Sequence, residues 1–192
     1  MMKISRLITI IVTVLLLVII AGCDRNSDLA QATFGTGNGG GILVSSVDRR
    51  AMPKFILSSG KDKAPVESHT LQGRVLLVAF FTPWCSSCVD EMVMLQKFQL
   101  DYDPSDLAVI GMAVVSNADD PTLDRYVARL GLTFPVVVAD DAVKKGFGGI
   151  AVVPTVFLVD RAGRIAARYF NHLEKEALIA AVHRVLAESS GE

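Results

Sequence analysis

The chain is predicted to be a mixed α/β domain, with one central β-sheet covered by helices on both faces. Three observations predict it. Apolar runs of strand length, Val75 to Phe81 and Leu107 to Val115, alternate with stretches of helical period. The C-terminal part reads as two strands flanking the turn Asp160-Arg161-Ala162-Gly163, followed by an amphipathic helix. Finally, Trp84-Cys85-Ser86-Ser87-Cys88 stands where the first buried run gives way to a helix. Strands alternating with helices, then a hairpin and a closing helix, stack as layers around one sheet.

Each element has a local reason. Lys54-Phe55-Ile56-Leu57 predicts a short strand, Ser58-Ser59-Gly60-Lys61 a turn and Leu71-Gln72-Gly73-Arg74 a second turn. The continuous apolar run Val75 to Phe81 suits a central strand buried on both faces. From Ser86 to about Leu100 the spacing of Val89, Met92, Leu95 and Phe98 predicts a helix. Pro121 to Leu130 carries proline at its first position and Gly131 just past its end, the asymmetry expected of a helix. Thr133 to Val138 is extended, Asp140 to Lys145 a helical turn stopped by Gly146, and Thr155 to Val159 a strand. Arg164 to Phe170 is its hairpin partner. Leu173 to Glu188 is the closing helix, with Leu178, Ala181, Val182 and Val185 on one face.

The first 22 residues are expected to stand apart from the fold. Lys3 and Arg6 precede an uncharged apolar stretch from Leu7 to Ala21, the pattern of an exported precursor. About 15 apolar residues fall short of the roughly 20 that a spanning helix needs. Residues 23–46 read as a polar, glycine-laden tether, centred on Gly35-Thr36-Gly37-Asn38-Gly39-Gly40-Gly41, and residues 47–192 as the folded domain. The glycines do not make a phosphate loop, because no strand precedes them and no Gly-Lys-Ser/Thr follows. The 19 Lys and Arg balance 20 Asp and Glu. Loss of Lys3 and Arg6 with a leader would take the net charge from −1 to −3. Nothing in that balance suggests a nucleic-acid partner.

Three cysteines are present. Cys85 and Cys88 close a loop too small to staple a fold, so their pairing points to chemistry and not to scaffolding. A sulfur at a helix N-terminus meets unpaired N–H groups and the positive end of the helix dipole, which favour the thiolate, the form that attacks disulfides. Cys88 lies one turn on and suits the resolving thiol. Structural zinc would want four Cys or His ligands, and no second CxxC or HxxxH exists, so no metal is expected. Glu91 stands three residues past Cys88 on the same helical face, where it can accept a proton from that thiol. Trp84 is placed to shield the pair and form a docking rim. His69, His172 and His183 have no cysteine neighbours in sequence and read as structural or solvated. Asp119-Asp120 and Asp140-Asp141 read as helix starts.

Met52-Pro53-Lys54-Phe55, Leu71-Gln72-Gly73-Arg74, Trp84-Cys85-Ser86-Ser87-Cys88, Glu91-Met92, Val153-Pro154-Thr155 and Phe157-Leu158-Val159-Asp160 together carry a resemblance. In this order they resemble the thioredoxin fold, and more narrowly the TlpA/ResA/CcmG group of membrane-tethered, extracytoplasmic thiol–disulfide oxidoreductases. The likeness runs from about Met52 to Ala187, and Gly111 to Val138 matches the strand and helix that group inserts. It implies a cis bond at Pro154, which would expose the Val153 backbone for β-like pairing with substrate, and it supports an acidic residue at Glu91. Ile20-Ala21-Gly22-Cys23 similarly resembles the bacterial lipobox, which implies that Cys23 carries lipid. Three positions depart from the pattern. Ala79 replaces the buried Asp of cytoplasmic thioredoxins, Ser86-Ser87 lacks the familiar proline, and Val93 stands where the group often has one.

The resemblance therefore implies a lipid-anchored oxidoreductase on the outer face of the cytoplasmic membrane. It would need no cofactor beyond the Cys85–Cys88 disulfide, act on exported proteins such as cytochrome c apoproteins, and be recharged by a membrane electron donor of the DsbD/CcdA type. Asp24, directly after Cys23, resembles an inner-membrane retention signal. A disulfide-forming oxidase is the first alternative. A copper chaperone using the thiols with Met92 or Met94 is a second. A peroxiredoxin is a third, weakened because Thr82 is in place before Cys85 but Val78 occupies the required proline position.

Overall fold

The apolar runs fold as the strands they predict. A computed structural model of the chain describes residues 41–43, 45, 48–59, 64–116, 120–170 and 173–188. In chain order these form β1 (Gly41–Leu43), β2 (Ile56–Leu57), β3 (Val66–Glu67), a 3-10 turn at Ser68–Leu71, β4 (Val75–Phe81) and α1 (Ser87–Asp101). There follow β5 (Leu107–Ala113), α2 (Pro121–Leu130), β6 (Val136–Val138), α3 (Asp141–Gly146), β7 (Thr155–Val159), β8 (Ile165–Phe170) and α4 (Lys175–Ala187). The leader expected over residues 1–22, the lipidation expected at Cys23 and the tether as far as residue 40 lie outside the described residues.

Six strands make one mixed sheet in the order β1-β8-β7-β4-β5-β6. β4, β5 and β6 run parallel, whereas β7 is antiparallel to β4 and to β8. Every residue of β4 and β5 is buried, as expected for parallel strands covered on both sides. Side chains alternate across the sheet. Val75, Leu77, Ala79 and Phe81 face a layer built from Met92, Leu95 and Phe98 of α1, Leu123 and Tyr126 of α2, and Leu178, Ala181, Val182 and Val185 of α4. Leu76, Val78 and Phe80 face Phe55, Leu57, Val143 and Phe147, which come from the β2 region and α3. The predicted apolar face of α4 is thus the face it buries, and helices cover both sides of the sheet. Among the described residues no helix is long and apolar enough to cross a membrane.

The segment Gly111 to Val138 supplies α2 and the edge strand β6. Gly111 pairs with Val136. A Cβ there would stand 3.1 Å from Val136 Cγ2, 3.2 Å from Phe81 Cε1 and 3.3 Å from Phe134 Cε2. The missing side chain is what lets β6 and Phe134 close on β5.

Three sequence expectations need correction. The tether was expected to reach Ser46, yet Gly41–Leu43 is already a strand, paired antiparallel with Ala167–Tyr169. Its pairing comes from the backbone of β8, so glycine-rich composition does not prevent it. The strand expected at Lys54–Leu57 is only Ile56–Leu57, and its partner Val66–Glu67 was not foreseen. Gly146 ends inside α3, and the helix is closed by Phe147.

Candidate active site

β4 runs out at Phe81 into Thr82-Pro83-Trp84, which carries Cys85 to the head of α1. Both thiols therefore sit at the end of a buried strand and at the start of a helix anchored in the core by Met92, Leu95 and Phe98. Cys85 and Cys88 are joined as a disulfide, with their sulfurs 2.14 Å apart. Cys88 is fully buried, at 0% exposure, against the apolar layer that includes Ala79, and Cys85 is half-buried. A reagent from solvent reaches Cys85 first.

Donors gather on that sulfur. The backbone N–H of Cys88 donates to Cys85 Sγ at 3.2 Å. The Ser87 hydroxyl lies 3.3 Å from it, placed to donate because a disulfide sulfur has no hydrogen. Ser86, the residue before the helix, makes no side-chain cap, and the sulfur shares the Cys88 N–H with the Cys85 carbonyl, also 3.2 Å away.

The adjacent strand β7, whose first residue, Thr155, pairs with Phe80 near the end of β4, brings Val153 and Pro154 to the same place. Their bond is cis, as the resemblance implied. The Val153 carbonyl oxygen lies 4.0 Å from Cys85 Sγ, and Thr155 Oγ1 donates to the Val152 carbonyl at 2.8 Å. Val152 is exposed and Pro154 buried. The loop thus presents main chain and one apolar side chain beside the sulfur.

Trp84 is 67% exposed, which places it on the rim and not in the core. It borders an open groove of about 560 Å³ lined by Val114, Val115, Val138 and Ala139, with Asp141 and Lys144 at its edge. Glu91 lies one turn beyond Cys88 on α1 and its side chain is buried. Sequence reasoning missed the groove, because its walls come from β5, β6 and α3 and no local motif joins them.

The remaining candidates lie elsewhere. His69 Nδ1 is 3.1 Å from Glu67 Oε2, and His183 Nε2 is 3.0 Å from the Tyr102 hydroxyl. His172 is outside the described residues. Asp120 and Asp140 cap α2 and α3, accepting from the N–H groups of Thr122 and Val143 at 2.8 and 2.7 Å. The Thr122 N–H holds the Asp120 carboxyl below its ordinary range. Asp141 is likewise lowered by its hydrogen bond to Lys144. Among the described residues no group of three or more His, Cys, Asp or Glu side chains is placed to hold a metal ion.

Comparison with known proteins agrees with this geometry. The Redoxin family profile matches residues 47–182. The thiol-disulfide oxidoreductase ResA of Bacillus thuringiensis is 26% identical over 126 residues, covering 66% of this chain and 71% of that protein. ResA of Geobacillus thermodenitrificans is 27% identical over 130 residues, covering 65% and 70%. Among solved structures, a thioredoxin-family thiol:disulfide interchange protein of Chlorobium tepidum superposes with a TM-score of 0.64 at 25% identity, over 72% of this chain and 97% of that one. A secreted thiol-disulfide isomerase of Corynebacterium glutamicum gives 0.67 at 21% identity over 81% and 97%, a likeness of fold. The fold is thioredoxin-like.

Proposed function

The chain belongs to the Redoxin family and is a thiol–disulfide oxidoreductase, and from that premise we propose that it reduces disulfides of exported proteins from the outer face of a membrane. The observation that carries this reading is the asymmetry of the pair: a reachable Cys85 sulfur receiving a helix N–H, and a Cys88 sulfur sealed in the core.

The cycle follows from that asymmetry. Reduced Cys85, as thiolate, attacks one sulfur of a substrate disulfide, and the other substrate sulfur leaves as a thiolate that takes up a proton. The substrate segment lies along the half-buried Val153 backbone, with Trp84 and Val152 shielding the mixed disulfide. Cys88 then gives its proton to the Glu91 carboxylate and attacks Cys85 Sγ, which releases the second substrate sulfur as a thiolate; that thiolate is protonated as Glu91 gives up the proton again. Two electrons have passed to the substrate, and Cys85–Cys88 is again a disulfide. The pair itself is the redox centre, and no further cofactor takes part. A membrane donor of the DsbD/CcdA type returns two electrons to it. A lipid on Cys23 holds the domain at the membrane, with the residues after it as tether, and apocytochromes c are the substrates that the likeness to ResA favours.

Reduction of insulin disulfides by the wild type, lost in Cys85→Ser, tests the reading. Cys88→Ser should instead accumulate a mixed disulfide through Cys85, whose trapped partners identify the substrates. Direction is read from the reduction potential and the redox state in cells, where 30 mV corresponds to about 1.4 kcal/mol for two electrons. A wild type inactive on insulin, or a pair that rests oxidised in cells, refutes the reductase. Incorporation of labelled fatty acid that survives Cys23→Ala refutes the anchor.

A further inference from the structure

Between α3 and Pro154 the chain crosses Phe147-Gly148-Gly149-Ile150-Ala151-Val152-Val153. Gly148 and Gly149 both have positive φ, 89° and 82°, so neither carries a side chain that would restrain the loop. Phe147 anchors its start, buried against Phe80 and Phe157. Side chains hold the last carbonyl of α3 and two carbonyls of the loop. Arg50 Nη1 donates to Gly146 O at 3.1 Å, Arg168 Nη2 to Gly149 O at 3.0 Å and Thr155 Oγ1 to Val152 O at 2.8 Å. The next carbonyl, that of Val153, is the one 4.0 Å from Cys85 Sγ.

The two guanidiniums hang from one strand. Arg168 belongs to β8, and its guanidinium carbon lies 5.3 Å from the Phe157 ring centre and 5.9 Å from that of Phe170. Arg50 is tied to the first residue of β8 because the Ile165 N–H donates to its carbonyl at 2.8 Å. A Cβ on Gly148 would come within 2.7 Å of Arg50 Nη2, so that guanidinium lies directly against the loop. Among the described residues neither arginine forms an ion pair; their fixed hydrogen bonds go to this loop.

We propose that Arg168, assisted by Arg50, is a positioning residue for the backbone that receives substrate: by holding Gly149 and Gly146 it sets where the Val153 carbonyl stands relative to Cys85. This rests on the reading that substrate pairs with the Val153 main chain. A planar fork stacked on two rings holds a carbonyl in a fixed direction, which a flexible ammonium does less well. The sulfurs themselves do not depend on Arg168. Its loss should therefore weaken the docking of a polypeptide without slowing exchange with a small disulfide.

The test compares insulin with 5,5′-dithiobis(2-nitrobenzoate), a disulfide too small to pair with the loop, using the full chain. Arg168→Met keeps the apolar stem and removes the donors. It should raise KM for insulin about tenfold, leave kcat within twofold and leave the small-disulfide rate unchanged. Arg168→Lys should recover part of the KM. If insulin and small-disulfide rates fall together, or if KM stays at the wild-type value, the proposal is overturned. Should Arg168→Met fail to fold, Arg50→Met on the exposed side of the loop must show the same split, smaller in size, and its absence is equally fatal. A wild type inactive on both disulfides overturns the oxidoreductase reading and this one together; an active wild type without the split overturns only this one.

Discussion

Asp160 offers the sharpest test of how the domain is held closed. Its carboxylate accepts from Arg49 Nη1 at 3.1 Å and Arg164 Nε at 3.0 Å on one oxygen, and from the N–H groups of Ala162 and Arg164 at 3.0 and 2.8 Å on the other. Arg49 also forms a two-pronged pair with Glu188, just past the end of α4. The side chains of Arg49 and Asp160 are 2% and 5% exposed, whereas that of Arg164 is 39% exposed. Consider Asp160→Ala. The pair with Arg164 is open to water and its loss costs under about 1 kcal/mol. The buried arm of Arg49 is a different matter, since removing one partner of a buried pair typically costs about 3–5 kcal/mol. Glu188 still neutralises that guanidinium, which places the cost at the lower end. The whole substitution should therefore cost about 3–4 kcal/mol. At roughly 2–4 °C per kcal/mol for a domain of this size, Tm should fall by about 6–16 °C. Urea unfolding of the variant, of Arg49→Met and of the double variant closes a cycle whose coupling should be about 1.5–3 kcal/mol. Strict additivity, or a loss below 1 kcal/mol, would refute the reasoning. Insulin reduction by the folded protein should be unchanged, because the clamp lies at the opposite end of β7 from Thr155 and the cysteines.

Other substitutions address separate parts of the molecule. Tyr126 is buried on Phe81 with its hydroxyl unpartnered among the described residues, so Tyr126→Phe should be neutral or stabilising by about 1 kcal/mol at pH 7; a loss above 1 kcal/mol in urea would contradict this. Burial first of all pushes Tyr126 and Tyr169 up to about 12. Because the folded values lie above the unfolded value of about 10, these groups leave stability unchanged below pH 10, and each lowers it by on the order of 2 kcal/mol as pH rises from there toward 12. Alkaline unfolding followed by tyrosinate absorbance should begin in that window, and Tyr126→Phe should flatten it. Gly111→Ala sets a methyl against Val136, Phe81 and Phe134 and should cost about 1–3 kcal/mol in thermal unfolding; an unchanged Tm would show that β6 yields freely. Glu91→Gln should lengthen the life of the Cys85 mixed disulfide about a hundredfold in quenched-flow measurements, and an unaltered resolution rate would remove Glu91 from the cycle.

What was legible in the chain was what local pattern determines. β4, α2 and β7 begin and end where their residues say, because an unbroken apolar run, a proline after a capping aspartate, and a strand closed by Asp160 each act within a few residues. The cysteine pair and the Val153–Pro154 bond were legible through motif, and the pairing of β4 with β7 sets the two together at one end of the sheet. β1 and β3 were not legible. Gly41–Leu43 has little strand propensity of its own and owes its form to β8, while Val66–Glu67 is only two residues long and meets Ile56–Leu57. The Arg49–Asp160–Glu188 clamp and the arginines on the Gly148–Gly149 loop were hidden for the same reason: their partners are separated by long stretches of chain, and charge alone does not name a partner.

Three of the four α-helix starts among the described residues, those of α1, α2 and α3, support the proposal that Cys85 is the sulfur that attacks. α2 and α3 begin with aspartates whose carboxylates accept the N–H groups of Thr122 and Val143. α1 follows Ser86, whose side chain caps nothing, and the N–H of Cys88 is shared between the Cys85 carbonyl and Cys85 Sγ, each at 3.2 Å. At those two starts the chain places an anion where α1 places a sulfur, whereas α4 starts without a side-chain cap. In the disulfide that sulfur is a weak acceptor. Reduction and loss of a proton make it a full anion at a position already arranged for one, with the helix dipole and the Ser87 hydroxyl adding to the same field. Cys88 has no such arrangement, being enclosed by Ala79, Met92 and the rest of the apolar layer, which disfavours its thiolate. The fold thus separates the two thiols by one helical turn and by two dielectric environments. The proposed order, attack by Cys85 and resolution by Cys88, rests on that separation.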